Sequence, residues 1–248
     1  MISQLNEYYV SSGISAKHFS CRHFTECSSG CENFTKAKEA FVCTGYEKRV
    51  LPRLLFISLD PGKANPNAKY RTLESVREEE EINFNLASLS SDKQAHWYHT
   101  HELAQFILGK FRFGLHVSQV HHFFAHMNSA KCCQNKERKG KADKKLFRNC
   151  RDFIPGEVKI LQPEILITQG DEAEESIIGS FQELTLSDFI TMDDTLPEIR
   201  ILGITDKPTI WIHTYHPNNW GEFNKQRREK FGLYSKLIFS FIKQVEIV

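Results

Sequence analysis

Four apolar runs stand out along the chain, and each ends in a polar or turn-forming residue. Residues 53–59 (RLLFISL) are followed by Asp60-Pro61-Gly62. Residues 122–127 (HFFAHM) are followed by Asn128, residues 164–168 (EILIT) by Gln169-Gly170, and residues 208–213 (PTIWIH) by Thr214-Tyr215-His216-Pro217. Short continuous apolar runs bounded by turn signals predict strands covered on both faces. Ile199 to Leu202 predicts a short edge strand. Apolar residues at helical spacing predict helices over 102–111, 144–161, 172–181 and 228–245, with Pro155 breaking or starting a helix inside the second. Strands alternating with helices predict an α/β sandwich around a mostly parallel sheet, spanning 1–248 as one domain. In such folds ligands sit beyond the carboxyl ends of the strands. Asp60, Asn128, Gln169 and His216 are therefore expected on one sheet edge. Residues 71–100 read as an insertion, and its acidic run Glu78 to Glu81 reads as a solvated helix face without a function.

Composition narrows the class. The 248 residues are 40% hydrophobic and 25% charged, which excludes a disordered chain, a collagen-like chain and a small disulfide scaffold. No apolar run approaches the ~20 residues of a membrane span, and the first twenty residues lack a basic-then-apolar pattern. A cytoplasmic, monomeric protein with no membrane partner is the expectation. The net charge of +1 suggests no nucleic-acid partner, but the charge is unevenly placed. Lys131 to Arg151 carries nine Lys/Arg against two acidic residues, and Lys225, Arg227, Arg228 and Lys230 form a second basic group. Both suit phosphate contacts, or are solvated surface. Seven cysteines are present, an odd number. In a reducing compartment, clustered cysteines suggest a metal site rather than disulfides.

Three residues carry candidate chemistry. Asp60, just past a buried strand, suits a general base or a stabiliser of developing positive charge, or else caps a helix. Gly62 allows a tight turn and close approach of a ligand. His216 suits donation to an oxygen gaining negative charge, or is an ordinary loop histidine. Asn128 offers a donor and an acceptor, enough to read an amide-like base edge, or caps a turn. Trp220 either wedges into a base stack or packs into the core.

At these residues the chain resembles the uracil-DNA glycosylase superfamily, especially its iron–sulfur-containing branch. The pieces occur in order: 54–62 (LLFISLDPG), 127–132 (MNSAKC), 161–170 (LQPEILITQG) and 214–217 (TYHP). The resemblance covers about residues 21–240. It implies a three-layer α/β/α sandwich with a short, mostly parallel central sheet. It also implies hydrolysis of the N-glycosidic bond of uracil or a modified pyrimidine flipped out of DNA. Asp60 would position water and stabilise the cationic sugar, His216 would stabilise the leaving base, and Asn128 would read its edge. Leu59, Pro61 and Gly62 would line the pocket, Tyr70 would stack on the base, and Trp220 would supply the wedge. Cys27, Cys31, Cys132 and Cys150 would hold a [4Fe–4S] cluster, with Cys21 and Cys133 as rival ligands and zinc as the alternative metal. Two departures bear on the substrate. Asp60 directly precedes Pro61, where the branch usually has an Ala between. The insertion also adds Trp97, Tyr98, His99 and His101 near the expected pocket mouth, leaving room for a larger or differently decorated base, such as a modified pyrimidine in invading phage DNA, beside uracil as the plainer expectation. The competing readings are a non-catalytic, metal-stabilised module that binds nucleic acid, and a hydrolase of free nucleosides.

Overall fold

The computed structural model describes residues 1–62, 71–85, 95–134, 142–185, 198–217 and 222–247, with the side chains of 95, 222–228 and 247 left aside. Seven strands form one sheet: β1 (Phe41–Val42), β2 (Leu54–Ser58), β3 (Phe124–Asn128), β4 (Ile165–Gln169), β5 (Gln182–Leu184), β6 (Ile199–Gly203) and β7 (Pro208–Thr214). Their spatial order is β1-β3-β2-β4-β7-β6-β5. The central four, β3, β2, β4 and β7, run parallel. The outer pairings β1–β3, β6–β7 and β5–β6 are antiparallel. The four parallel strands are the four apolar runs of the sequence. Ile199–Gly203 lies between β5 and β7 rather than at the edge, because the polar strand Gln182–Leu184 takes the edge position.

The helices are α1 (Ile2–Ser11), α2 (Phe24–Ser28), α3 (Thr44–Glu47), α4 (Leu73–Arg77), α5 (Ala95–Leu108), α6 (Lys144–Cys150), α7 (Ile154–Leu161), α8 (Asp171–Glu175) and α9 (Glu222–Ile247). Every residue of β2, β3 and β4 is buried, so helices cover both faces. The α5–α9 pair lies over the face carrying Phe56 and Phe124, where Trp97 of α5 meets Phe124 edge-on at 5.7 Å. On the opposite face Glu174 of α8 approaches His213 of β7 at 3.5 Å. The architecture is thus an α/β sandwich with a mixed, centrally parallel sheet. Among the described residues no helix is long and apolar enough to cross a membrane.

Pro155 sits in the first turn of α7, where a missing N–H costs nothing. It divides the expected 144–161 helix into α6, one 3₁₀ turn and α7. The acidic run departs from its expected role. It forms a π-helical turn over Glu78–Ile82. There Glu81 accepts from the Thr44 N–H at 3.0 Å and from the Thr44 hydroxyl at 3.2 Å, satisfying the start of α3. Glu80 lies 4.0 Å from the Lys38 ammonium.

Candidate active site and cysteine centre

The candidate site is built at the carboxyl ends of the four parallel strands, on the face covered by α5. Period-two alternation puts Ser58, Asn128 and Gln169 on that face with Phe56. Ser58 pairs in register with Asn128. Its hydroxyl donates to Gln169 Oε1 at 2.7 Å and lies 3.1 Å from His96 Nε2 and 2.9 Å from His126 Nε2. Thr100 Oγ1 accepts from Gln169 Nε2 at 3.1 Å and donates to the His96 carbonyl at 2.9 Å. One proton assignment satisfies the Ser58 hydroxyl: both imidazoles carry their proton on Nε2 and donate to it while it donates to Gln169. Both histidines are then neutral. Burial first, and then nearby imidazoles and the Lys38 ammonium, push His96 down to about 3 and His126 well below the ordinary histidine range.

His216 joins this network through its ring. It stacks on His96 with centroids 4.8 Å apart and planes 18° apart. Burial lowers its pKa to about 4, so it is a neutral imidazole near pH 7. The end of β4 is shaped to admit it. Gly170 has φ +101°, and its N–H donates to the Thr214 carbonyl at 2.7 Å. A Cβ on Gly170 would stand 2.9 Å from the Leu59 side chain and 3.5 Å from His216 Cβ. Leu59 and His216 therefore flank the same glycine.

The Asp60 carboxylate accepts from the Gly62 N–H at 2.7 Å, closing a tight turn. Gly62 has φ +87°, a region glycine reaches without penalty, and no atom of the described residues stands within 4 Å of where its Cβ would be. The approach to this turn is held by β3. Ser129 N–H and hydroxyl donate to the Ser58 carbonyl at 2.8 and 3.0 Å, and Ala130 N–H donates to the Leu59 carbonyl at 3.1 Å.

Asp60, Asn128 and His216 thus lie at or just past the ends of three adjacent or near-adjacent strands, and His216 reaches Ser58 through His96. Tyr70 and Trp220 lie outside the described residues. Ser58, His96, Thr100 and His126 were not singled out by sequence. Ser58 and His126 sit inside apolar runs that read as strands, and His96 and Thr100 fall in the segment that reads as an insertion.

The cysteines gather beside this edge. Cys27, Cys132 and Cys150 line one cavity together with Cys21, Lys131 and Asn149, and Phe19, Phe24 and Phe34 complete its wall. Cys31 stands outside that lining, with its thiol 3.0 Å from the Gln134 side-chain amide. Cys133 turns away from the cavity toward Gly62. Cys43 is buried elsewhere and caps α3, accepting from the Tyr46 N–H at 3.3 Å. Burial, with the other thiols adding, raises Cys132 well above the ordinary thiol range and lifts Cys150 to about 11. Such thiols stay protonated in the absence of a cation, and a metal would displace the protons. Among the described residues no three His, Cys, Asp or Glu side chains already stand in metal-holding geometry. The donor set nevertheless has the chemistry of a four-thiolate centre: the buried Cys27, Cys132 and Cys150 share one cavity with the half-buried Cys21, and the other three raise the Cys132 thiol.

The basic segments are less free than their sequence suggests. Lys131 is buried and ion-paired with Glu157, whose other oxygen accepts from the Tyr9 hydroxyl at 2.7 Å. It is therefore no phosphate contact. Arg148 pairs with Glu26 at 3.1 Å, Arg151 pairs with Glu175, and Lys230 lies 3.6 Å from Glu198. Residues 135–141 lie outside the described residues, and the side chains of Lys225, Arg227 and Arg228 are among those left aside. Comparison of the chain with protein-family models and with curated proteins gives no match.

Proposed function

We propose that the chain is a monofunctional DNA glycosylase that removes uracil or a modified pyrimidine flipped out of DNA. The observation that supports the reading is that the Asp60 turn, Asn128 and His216 each stand at or just past the carboxyl end of a parallel strand of one sheet. In the reaction the bond from sugar C1′ to the base nitrogen breaks, and its electron pair leaves with the base. The neutral His216 imidazole donates a hydrogen bond to the base oxygen that gains negative charge. The Asp60 carboxylate faces the cationic sugar and orients a water molecule, whose oxygen bonds C1′ and whose proton passes to Asp60 and then to solvent. Asn128 reads the base edge, and Leu59, Pro61 and Gly62 form the wall. Water as nucleophile, and hence no lyase step, rests on the family resemblance, which puts no lysine in a catalytic position.

Cys21, Cys27, Cys132 and Cys150 would hold a [4Fe–4S] cluster, or zinc in its place, as a structural centre that fastens the 131–151 segment to the body. A role in repair, or in defence against phage DNA with modified bases, follows from the same chemistry.

The test is base release from uracil-containing oligonucleotides, single- and double-stranded, and from a panel of modified phage DNAs, read by alkaline cleavage at abasic sites. We expect Asp60→Asn and His216→Ala each to slow release by about 10²-fold or more while binding to abasic DNA persists. Full activity in both variants overturns the assignment. DNA binding without release from any substrate would instead support the non-catalytic binding module. Iron and zinc analysis of anaerobically purified protein decides the metal.

A further inference from the structure

Cys132 and Cys133 are neighbours whose side chains serve different places. Cys132 faces the cysteine cavity. Cys133, with no exposed surface, faces the candidate active site. Its thiol donates to the Gly62 carbonyl and lies 3.9 Å from Asp60 Oδ1. That same carboxylate oxygen accepts from the Gly62 N–H. Cys133 therefore closes a ring of contacts around Asp60-Pro61-Gly62. Its backbone is fixed as well: it exchanges hydrogen bonds of 2.8 and 3.0 Å with Thr35, in the segment that follows Cys27 and Cys31.

Asp60 and Gly62 lie past the end of β2, beyond its ladder, and Pro61 has no N–H to donate. A carboxylate on a short turn can rotate unless something fixes the turn. We propose that Cys133 is a positioning residue for Asp60, and that through the Cys132-Cys133 linkage the cysteine centre and the candidate catalytic acid are mechanically coupled. The inference rests on the reading of Asp60 as the group that orients water. Misplacing such a group by ~1 Å can slow a reaction ~10²-fold.

The experiment compares Cys133→Ala and Cys133→Ser in the full chain, with uracil-containing oligonucleotide or the phage DNA that proves to be cleaved. For Cys133→Ala we expect kcat to fall about 10- to 100-fold, with KM, metal content and visible absorbance as in the unaltered protein. Cys133→Ser keeps a donor toward the Gly62 carbonyl and should recover most of kcat. Hydrogen exchange at the Gly62 amide should be faster in Cys133→Ala than in Cys133→Ser. Unaltered kcat and unaltered Gly62 exchange in Cys133→Ala overturn the inference. So does loss of metal in that variant, because it would make Cys133 a ligand. If the unaltered protein releases no base from any DNA, the glycosylase reading fails by itself. The Gly62 exchange comparison still decides whether Cys133 fixes the turn.

Discussion

His96 has two separable contacts: a stack on His216 and a hydrogen bond to Ser58. His96→Phe should keep the first and lose the second, whereas His96→Ala should lose both. An aromatic pair contributes ~0.5–1.5 kcal/mol beyond burial, which corresponds to about 2- to 10-fold in rate if it orients His216. Base release should therefore be about that much slower in His96→Ala than in His96→Phe. Equal rates in the two variants would show that the stack does not place His216. At this scale the sequence announced a residue only where it interrupted a pattern. Asp60, Asn128 and His216 each follow an apolar run and were legible for that reason. Ser58 and His126 lie within such runs, and His96 lies in a polar stretch without periodicity. Their partners come from 30 to over 100 residues away, so nothing local distinguishes them. The cysteines illustrate the same limit. The family resemblance favoured Cys27 with Cys31 and left Cys21 as a rival, and in the fold Cys21 lines one cavity with Cys27, Cys132 and Cys150 while the Cys31 thiol lies against Gln134.

Elements were more legible than residues, and the reason is burial. The four central strands are apolar throughout because helices cover both faces. The strands β1 and β5 went unseen: one has two residues, and the other is half-exposed and polar. The helix expected over 172–181 ends at Glu175, because Ser176 caps it and residues 177–180 continue only as turns. Where elements meet at the site, Gly170 is the tightest joint. Gly170→Ala would force a side chain onto Leu59 in a left-handed backbone, at a cost of about 1–3 kcal/mol. We expect a lower thermal midpoint and a slower base release than in Gly179→Ala, a control at φ +75° with no atom of the described residues within 4 Å of its Cβ position. Equal effects of the two changes would mean that the close packing of Leu59 and His216 around Gly170 is not critical.

Across the whole molecule, buried imidazoles set the response to acid. His96, His101, His121, His126 and His216 are all pushed below the ordinary histidine value, chiefly by burial. Each stays neutral in the folded chain while its unfolded counterpart gains a proton near pH 6.5. The unfolded state therefore binds more protons, and stability falls as the pH drops from about 6.5 toward 4. One such histidine gives a slope of ~1.4 kcal/mol per pH unit, so the combined acid slope should exceed that of a single proton. Denaturant unfolding at pH 7, 6 and 5 measures it, and a flat response would show that these imidazoles are protonated in the folded protein. The order of apolar runs, and the polar residue after each, determined the fold class and the sheet edge on which chemistry would gather, because burial imposes its pattern directly on local sequence. Which histidines form the floor of that edge, which four thiols share a cavity, and that Cys133 reaches the Asp60 turn were decided only in three dimensions. Those contacts depend on strand register and on segments far apart in the chain, and no local pattern encodes them.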